Sequence, residues 1–208
     1  TLEWLWKIRR LNGTVTRWVD QALRYGEAFV FAPWNLAIGP PAGIDGRKQG
    51  DIDFHNVLPW HVFRDEAYND FKQCPWVCVR LYENRWDFAA QYPATITGES
   101  TESLMSSANL ESDTQLQVND GSKPGTDVCS VYYFFHKPTA AVPQGREVLF
   151  RNSGCVVLDT PLRYSGIPVK RLAPDELDDT TSGYSTFSDV LAAQEVSDGI
   201  ESSISSNI

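Results

Sequence analysis

The chain has 208 residues, a length that suits one domain or slightly more. It is 42% hydrophobic, with 7 Trp, 8 Tyr and 10 Phe, so it can bury a substantial core. The formal net charge of −9 argues against a protein that wraps nucleic acid by neutralising its phosphates. A protein that surrounds nucleic acid without gripping it remains compatible with this charge.

Cysteine spacing and apolar run lengths exclude further classes. Cys74 and Cys78 are close in sequence, but Cys129 and Cys155 form no second pair, and no His pair has finger spacing. A zinc site is therefore not indicated, and the pattern predicts free buried thiols in a reducing compartment. The sequence shows no signal peptide and no membrane-length apolar run, so we expect a protein that is cytosolic when made. Both ends fall inside helical patterns, which predicts a fragment of a longer chain.

The N-terminal residues have helical periodicity. Apolar residues recur at helical spacing over residues 2–25, with arginines between them, and Gly13 is a candidate interruption. We interpret Arg9, Arg10, Arg17 and Arg24 as a solvated face. Gly26 has the position of a helix stop.

Strand patterns follow the helix. Residues 27–34 predict a buried strand, and a Gly- and Pro-rich turn region comes next. Residues 50–57, GDIDFHNV, alternate as a half-buried strand that ends at Pro59. Residues 61–70 predict a turn, and residues 75–83 predict another strand.

The middle of the chain changes composition. Asn84 is a candidate N-cap for a short helix that Pro93 ends. Residues 95–127 are rich in Ser, Thr, Asp and Gly and predict a long surface excursion. The sheet resumes at 128–137, residues 147–160 predict a hairpin, and residues 161–174 predict an extended segment with three prolines.

The last segment is acidic. All 18 Lys and Arg lie in the first 174 residues, whereas residues 175–208 contain eight of the 27 acids. Thr186 to Asp189 resembles a capping box. An apolar stripe then follows at helical spacing, formed by Val190, Ala193, Val196, Ile200, Ile204 and Ile208. We expect this stripe to be exposed or frayed unless another molecule covers it.

Metal binding and nucleophilic catalysis are the two kinds of chemistry for which the sequence offers candidate residues or motifs to compare. Asp51, Asp53 and His55 alternate, so one strand face could present them to a divalent metal. The alternative is that Ile52 and Phe54 need the core, which leaves the other three in solvent, and we prefer this reading. No nucleophile elbow and no phosphate-binding Gly loop is present, so we predict no enzyme activity and no cofactor.

The ordered series of patterns resembles a known family. RWVDQALRYGEAFVFAPW is followed by LPWHVFRDE, PWVCVRLYENRWDFAAQYP, VCSVYYFFHKP and VVLDTPLRYSGIPVK. The series is similar to the wing region of portal proteins, the head-to-tail connectors of podovirus-like tailed phages. The resemblance implies an α+β fold, with an N-terminal helix, a small twisted antiparallel β-barrel or sheet, and a C-terminal stem helix. It assigns residues 1–185 to the wing and 186–208 to the start of the stem, without the clip and crown.

The resemblance also implies a mechanical role in the virion and, during assembly, in the host cytoplasm. Twelve copies would form a ring through which double-stranded DNA is packaged and ejected without sequence-specific binding or contact with a membrane. The implied partners are terminase, scaffolding protein, capsid and tail adaptor proteins. The candidate residues that face the channel or a neighbouring subunit are Glu195, Asp198, Glu201, Val196, Ile200 and Ile204.

Two other classes remain open from the residues alone. One is a β-barrel module that binds a protein partner without forming a ring. The other is a metal-dependent hydrolase that uses Asp51, Asp53 and His55. Particle size separates the first from a portal subunit, and metal content separates the second.

Overall fold

The computed structural model describes residues 6, 7, 9–35, 38–41, 49–92, 128–151, 156–176, 181–188, 190, 194–198, 200 and 202. They form mixed helical and antiparallel β structure in two compact units. The first unit comprises the described residues of Thr1–Trp60, Glu66–Gln73 and Pro168–Ile208. The second comprises those of His61–Asp65 and Cys74–Ile167. The predicted excursion at 95–127 lies outside the described residues, and the predicted division after residue 185 stays a prediction.

The regular elements of the described residues follow a simple order along the chain. They are α1 (Leu11–Tyr25), β1 (Ala28–Phe31), β2 (Trp34–Asn35), β3 (Asp51–Ile52), β4 (His55–Val57), a 3₁₀ turn (Pro59–His61), β5 (Val62–Arg64), β6 (Trp76–Asn84), α2 (Arg85–Gln91), β7 (Val128–His136), β8 (Arg146–Arg151), β9 (Val156–Thr160), β10 (Val169–Leu172), β11 (Asp175–Glu176) and β12 (Gly183–Tyr184). None of these helices is long and apolar enough to cross a membrane.

Helix α1 packs one of its sides against the rest of the first unit. Leu11 and Ala22 are buried, and Trp18 donates its indole N–H to the carbonyl of Ala28 at 3.0 Å. The predicted interruption at Gly13 is wrong in position, because the break is at Arg10, which has a φ of 49° just before the helix begins. The predicted stop at Gly26 is confirmed by a φ of 82°, a conformation that suits glycine.

A small sheet covers this buried side. Its strand order is β10-β1-β4, and all four residues of β1 are buried. Strands β2 and β3 form a separate pair. The continuous strand predicted over residues 50–57 is therefore wrong. The chain changes partner at Asp53, whose backbone N–H donates to the carbonyl of Pro33 at 3.0 Å, and pairing with β1 starts only at His55.

A buried ion pair links β10 to the start of β1. Arg171 donates from Nε to Oε2 of Glu27 at 2.8 Å and from Nη2 to the carbonyl of Thr181 at 3.2 Å. The side chains of Arg171 and Glu27 are only 6% and 11% exposed. Such burial is compatible with folding because the charges are paired and hydrogen-bonded.

The second unit contains one antiparallel sheet of five strands in the order β5-β6-β7-β8-β9. Among the described residues, neither this sheet nor the smaller ones close into a barrel, so the barrel form of the prediction is not observed. The turn predicted for residues 61–70 is partly wrong, because β5 pairs with β6 in the register Phe63 to Cys78. The hairpin predicted over 147–160 is confirmed by the pairing of β8 with β9.

Short helix α2 closes the core of this unit. The predicted cap is confirmed, since Oδ1 of Asn84 accepts a hydrogen bond from the backbone N–H of Trp86 at 2.9 Å. Phe88 of this helix packs into a buried cluster on the sheet, whose other members are Cys129, Val131, Leu149 and Val157. The prediction of free thiols is confirmed for Cys74, Cys78 and Cys129, which are buried and form no disulfide.

Candidate functional site

The C-terminal helical segment, by which we mean the described residues 188, 190, 194–198, 200 and 202, begins close to the end of α1. The Ser185 hydroxyl lies 2.9 Å from the carbonyl oxygens of Leu23 and Arg24, to which it donates. The same oxygen accepts from the backbone N–H of Phe187 at 3.3 Å. The hydroxyl that accepts a hydrogen bond from the first turn of the segment is therefore that of Ser185. The sequence had predicted Thr186, one residue later, for this position.

Two glycines permit this close approach. A Cβ atom on Gly183 would collide with the carbonyl oxygen of Gly26, and one on Gly26 would collide with the carbonyl oxygen of Gly183. The hairpin of β11 and β12 can thus lie against the end of α1 only because neither residue has a side chain. This contact holds the start of the helical segment beside the end of α1.

The described apolar residues of the segment are exposed. Val190 is 58% exposed, Val196 is 64% exposed and Ile200 is 56% exposed. Val196 and Ile200 are four residues apart, so they lie on one face of a helix. Glu195 and Asp198 are also exposed. The candidate residues Glu201 and Ile204 lie outside the described residues.

The structure pairs one of the three residues considered for metal binding, Asp51, with other protein groups. Asp51 forms an ion pair with Arg9, and it also accepts a hydrogen bond from the backbone N–H of Ile52. These hydrogen bonds hold the pKa of Asp51 below its usual value, and the bond from Arg9 contributes more than the bond from Ile52. The carboxylate is thus held in its ionised form by protein groups.

Asp53 and His55 remain near each other. Oδ2 of Asp53 lies 3.4 Å from Nε2 of His55 and 3.4 Å from Nδ2 of Asn35. Its Oδ1 accepts from the backbone N–H of Phe54 at 2.9 Å. Across the described ranges, no group of three His, Cys, Asp or Glu side chains is arranged to hold a metal ion.

The sequence analysis did not predict a polar cluster that lies on one face of the five-stranded sheet. Tyr133 donates to Oε1 of Glu83 at 2.5 Å, and Arg163 makes a two-pronged contact with Glu147 at 2.8 and 3.0 Å. Burial, with a further contribution from the Glu83 charge, raises the pKa of Tyr92 to about 12, and the same causes raise the pKa of Tyr133. Phenols held neutral in this way are poor bases, so we interpret the cluster as a structural link.

No local signal could have revealed that cluster. Glu83 and Tyr133 are 50 residues apart, and Arg163 lies in a segment between strands. Their contacts depend on the order in which β6, β7 and β8 pair. Only a correct strand order would have placed these side chains on one face of the sheet.

Comparison of the sequence with models of known protein families and with curated proteins finds no match. The function is therefore inferred from the residues and from the geometry described above.

Proposed function

We propose that the chain is the wing region and first part of the stem helix of a phage portal subunit. In this role, copies form a ring at one capsid vertex through which double-stranded DNA enters and leaves, and the ring joins the head to the tail. The ordered series of sequence patterns motivates the proposal. The observation that carries it is the helical segment whose apolar residues Val190, Val196 and Ile200 are exposed between acidic ones.

Exposed apolar residues at helical spacing favour association with another molecule. Full burial of a Val or Ile side chain contributes about 1.5–3 kcal/mol, so several such residues supply a useful driving force. A contact between two different surfaces of identical subunits produces a ring when its rotation closes. A stem helix packed against a neighbouring subunit would use the stripe in this way.

The charge of the segment supports passage of DNA without capture. Contacts between phosphates and Lys or Arg create affinity, and residues 175–208 contain neither base. Glu195 and Asp198 are exposed and repel the DNA backbone weakly. An ordinary solvated helix would have the same charge, so this feature supports the proposal only together with the apolar stripe.

The finer assignments belong to the same proposal. Residues 1–185, which include the sheet of β5 to β9, would serve as the wing, and the segment that begins after Ser185 would serve as the start of the stem. Terminase, scaffolding protein, capsid and tail adaptor proteins would be the partners, and twelve would be the number of subunits. The ring would be found in the virion and, before that, in the host cytoplasm.

The test is the particle that the purified chain forms. We expect mass photometry to find multiples of the monomer mass, and negative-stain images to show arcs or closed rings around a central opening. The double variant V196S/I200S should lose these particles and retain the circular dichroism spectrum of the wild type. S202A, a change on an exposed helical residue away from the stripe, is the matched control and should behave as the wild type. A chain that stays monomeric at every concentration, or that forms only straight open filaments, would overturn the proposal.

A further inference from the structure

We propose that residues Thr181 to Ser185 form a strap that holds the start of the C-terminal helical segment against the end of α1 and that opens as one unit. When the strap is closed, the start of the segment is fixed beside α1. When the strap opens, the segment is released and the buried pair of Glu27 and Arg171 loses its bond to the strap. The inference concerns contacts within one chain, so it does not rest on the proposed ring.

The strap begins at the buried ion pair of the first unit. Nη2 of Arg171 donates to the carbonyl oxygen of Thr181 at 3.2 Å, while Nε of the same guanidinium donates to Oε2 of Glu27 at 2.8 Å. A guanidinium presents its N–H groups in fixed directions, so one side chain bonds both acceptors at once. This side chain is only 6% exposed. Opening of the strap therefore removes an acceptor from a buried charged donor, which is costly.

The middle of the strap lies too close to the backbone of the first unit for a side chain to fit. A Cβ atom on Gly183 would collide with the carbonyl oxygen of Gly26 and would lie 3.1 Å from Cβ of Glu27. Gly26 has a φ of 82°, so a substitution there would also strain the backbone. Gly183 has no positive φ. A substitution at Gly183 therefore tests the close approach alone.

The strap ends at a hydroxyl that serves two helical elements. Oγ of Ser185 lies 2.9 Å from the carbonyl oxygens of Leu23 and Arg24, in the last turn of α1, where carbonyls have no partner within the helix. The same Oγ accepts from the backbone N–H of Phe187 at 3.3 Å. Withdrawal of this hydroxyl takes a partner from both turns, so we expect the end of α1 and the start of the segment to fray together.

The three contacts are close enough in the chain to open together. They lie at Thr181, Gly183 and Ser185, so movement at one of these residues pulls on the other two. Strand β12, which contains Gly183, pairs with β11 over a register of only two residues. Short elements with few contacts form the cooperative units that open before the rest of a domain. We therefore assign the strap, the last turn of α1 and the first turn of the segment to one such unit.

Hydrogen exchange of the full chain, measured by mass spectrometry, tests this unit. The variant is G183A, and G166A is the matched control, because a Cβ atom on Gly166 would meet nothing within 4 Å. We expect G183A to speed exchange by about tenfold or more in two fragments at once, residues 20–27 and residues 185–190. Fragments from β6, β7 and β8 should exchange as in the wild type. G166A should match the wild type in the fragments of the first unit.

A second variant tests whether the ion pair belongs to the same unit. R171K keeps a positive charge opposite Glu27 but lacks the guanidinium fork that also reaches Thr181. We expect exchange in residues 185–190 to rise by about threefold or more, because loss of one contact loosens the whole strap. Unchanged exchange in this fragment would overturn the coupling between the pair and the segment.

The pattern of exchange decides the inference. Faster exchange in G183A that is confined to the residues beside position 183 would mean that the contacts open independently, and this would overturn the strap. If G183A speeds exchange throughout the first unit, S185A decides, since it removes only a hydroxyl. Faster exchange of the hairpin of β11 and β12 in S185A would support the strap, and an unchanged hairpin would overturn it. None of these results depends on ring formation, so the portal proposal is tested separately.

Discussion

The five-stranded sheet and the C-terminal helical segment place their apolar side chains in opposite environments. Val131 and Phe135 of β7 have no exposed surface, whereas Val196 of the segment is 64% exposed. The sheet therefore gains its stability from contacts within the chain. The described apolar residues of the segment are mostly exposed, so they contribute little to the stability of the chain by itself. Substitutions in the two regions should then affect different measurements, stability for the sheet and assembly for the segment.

The largest effect is expected from truncation in the sheet. F135A removes a fully buried ring that also meets Tyr164 edge to face, with ring centroids 6.1 Å apart. We expect the free energy of unfolding in urea to fall by about 3–5 kcal/mol. F63A is the matched control, because Phe63 lies on β5 of the same sheet but is 42% exposed. Equal losses for the two variants would contradict the assignment of Phe135 to the buried core and of Phe63 to the exposed surface of the sheet.

A buried charge pair tests whether internal contacts also stabilise the unit that carries the segment. E27Q leaves the guanidinium of Arg171, which is 6% exposed, without its carboxylate. We expect a loss of about 3 kcal/mol in the free energy of unfolding, because an uncompensated buried charge is strongly destabilising. D159N breaks the exposed pair with Arg146 and should leave the unfolding midpoint unchanged within error. If E27Q leaves the free energy of unfolding nearly unchanged, the stability of this unit depends little on the pair.

Alkaline pH probes the polar cluster beneath the sheet. Burial raises the pKa of Tyr92 from 10.0 to about 12, so the unfolded chain loses this proton at lower pH than the folded one. The stabilisation is complete below pH 10 and is lost as the pH rises toward 12. Between pH 10 and 12, the free energy of unfolding in urea should therefore fall less for Y92F than for the wild type. At neutral pH the free energies of unfolding of the two proteins should differ by about 1 kcal/mol or less. Tyr133 keeps its own contribution in the variant, so the loss is reduced and not abolished.

The control for this pH effect is Y68F, since Tyr68 is 40% exposed. It should follow the wild type through the same pH range. A Y92F curve that coincides with the wild type would mean that the phenol of Tyr92 is accessible to water. The cluster would then contribute less to the sheet than its geometry indicates.

The sequence predicted elements where local chemistry determines them. The stop at Gly26, the cap at Asn84 and the hairpin of β8 and β9 each depend on residues close together in the chain. Exposure of the apolar stripe was also expected, because no partner for it was identified within the chain, and this is confirmed for its described members Val190, Val196 and Ile200.

The errors come from pairings between distant residues. β5 reads as a turn by itself and becomes a strand only because β6 offers a partner. Residues 50–57 read as one strand, but two different partners divide them at Asp53. The pair of Glu27 and Arg171 spans 144 residues. Neither periodicity nor spacing reports such contacts, since each depends on the final strand order.

The smallest effect on stability is expected in the helical segment. V196A removes two methyl groups from a side chain that is already 64% exposed and introduces a better helix former. The free energy of unfolding of the monomer should stay within about 0.5 kcal/mol of the wild type. Assembly should weaken, because in the proposed ring the same methyl groups would contact a neighbouring subunit, and mass photometry measures this directly. A loss of stability comparable with that of F135A would mean that Val196 is buried within its own chain, and the contrast between sheet and segment would no longer hold.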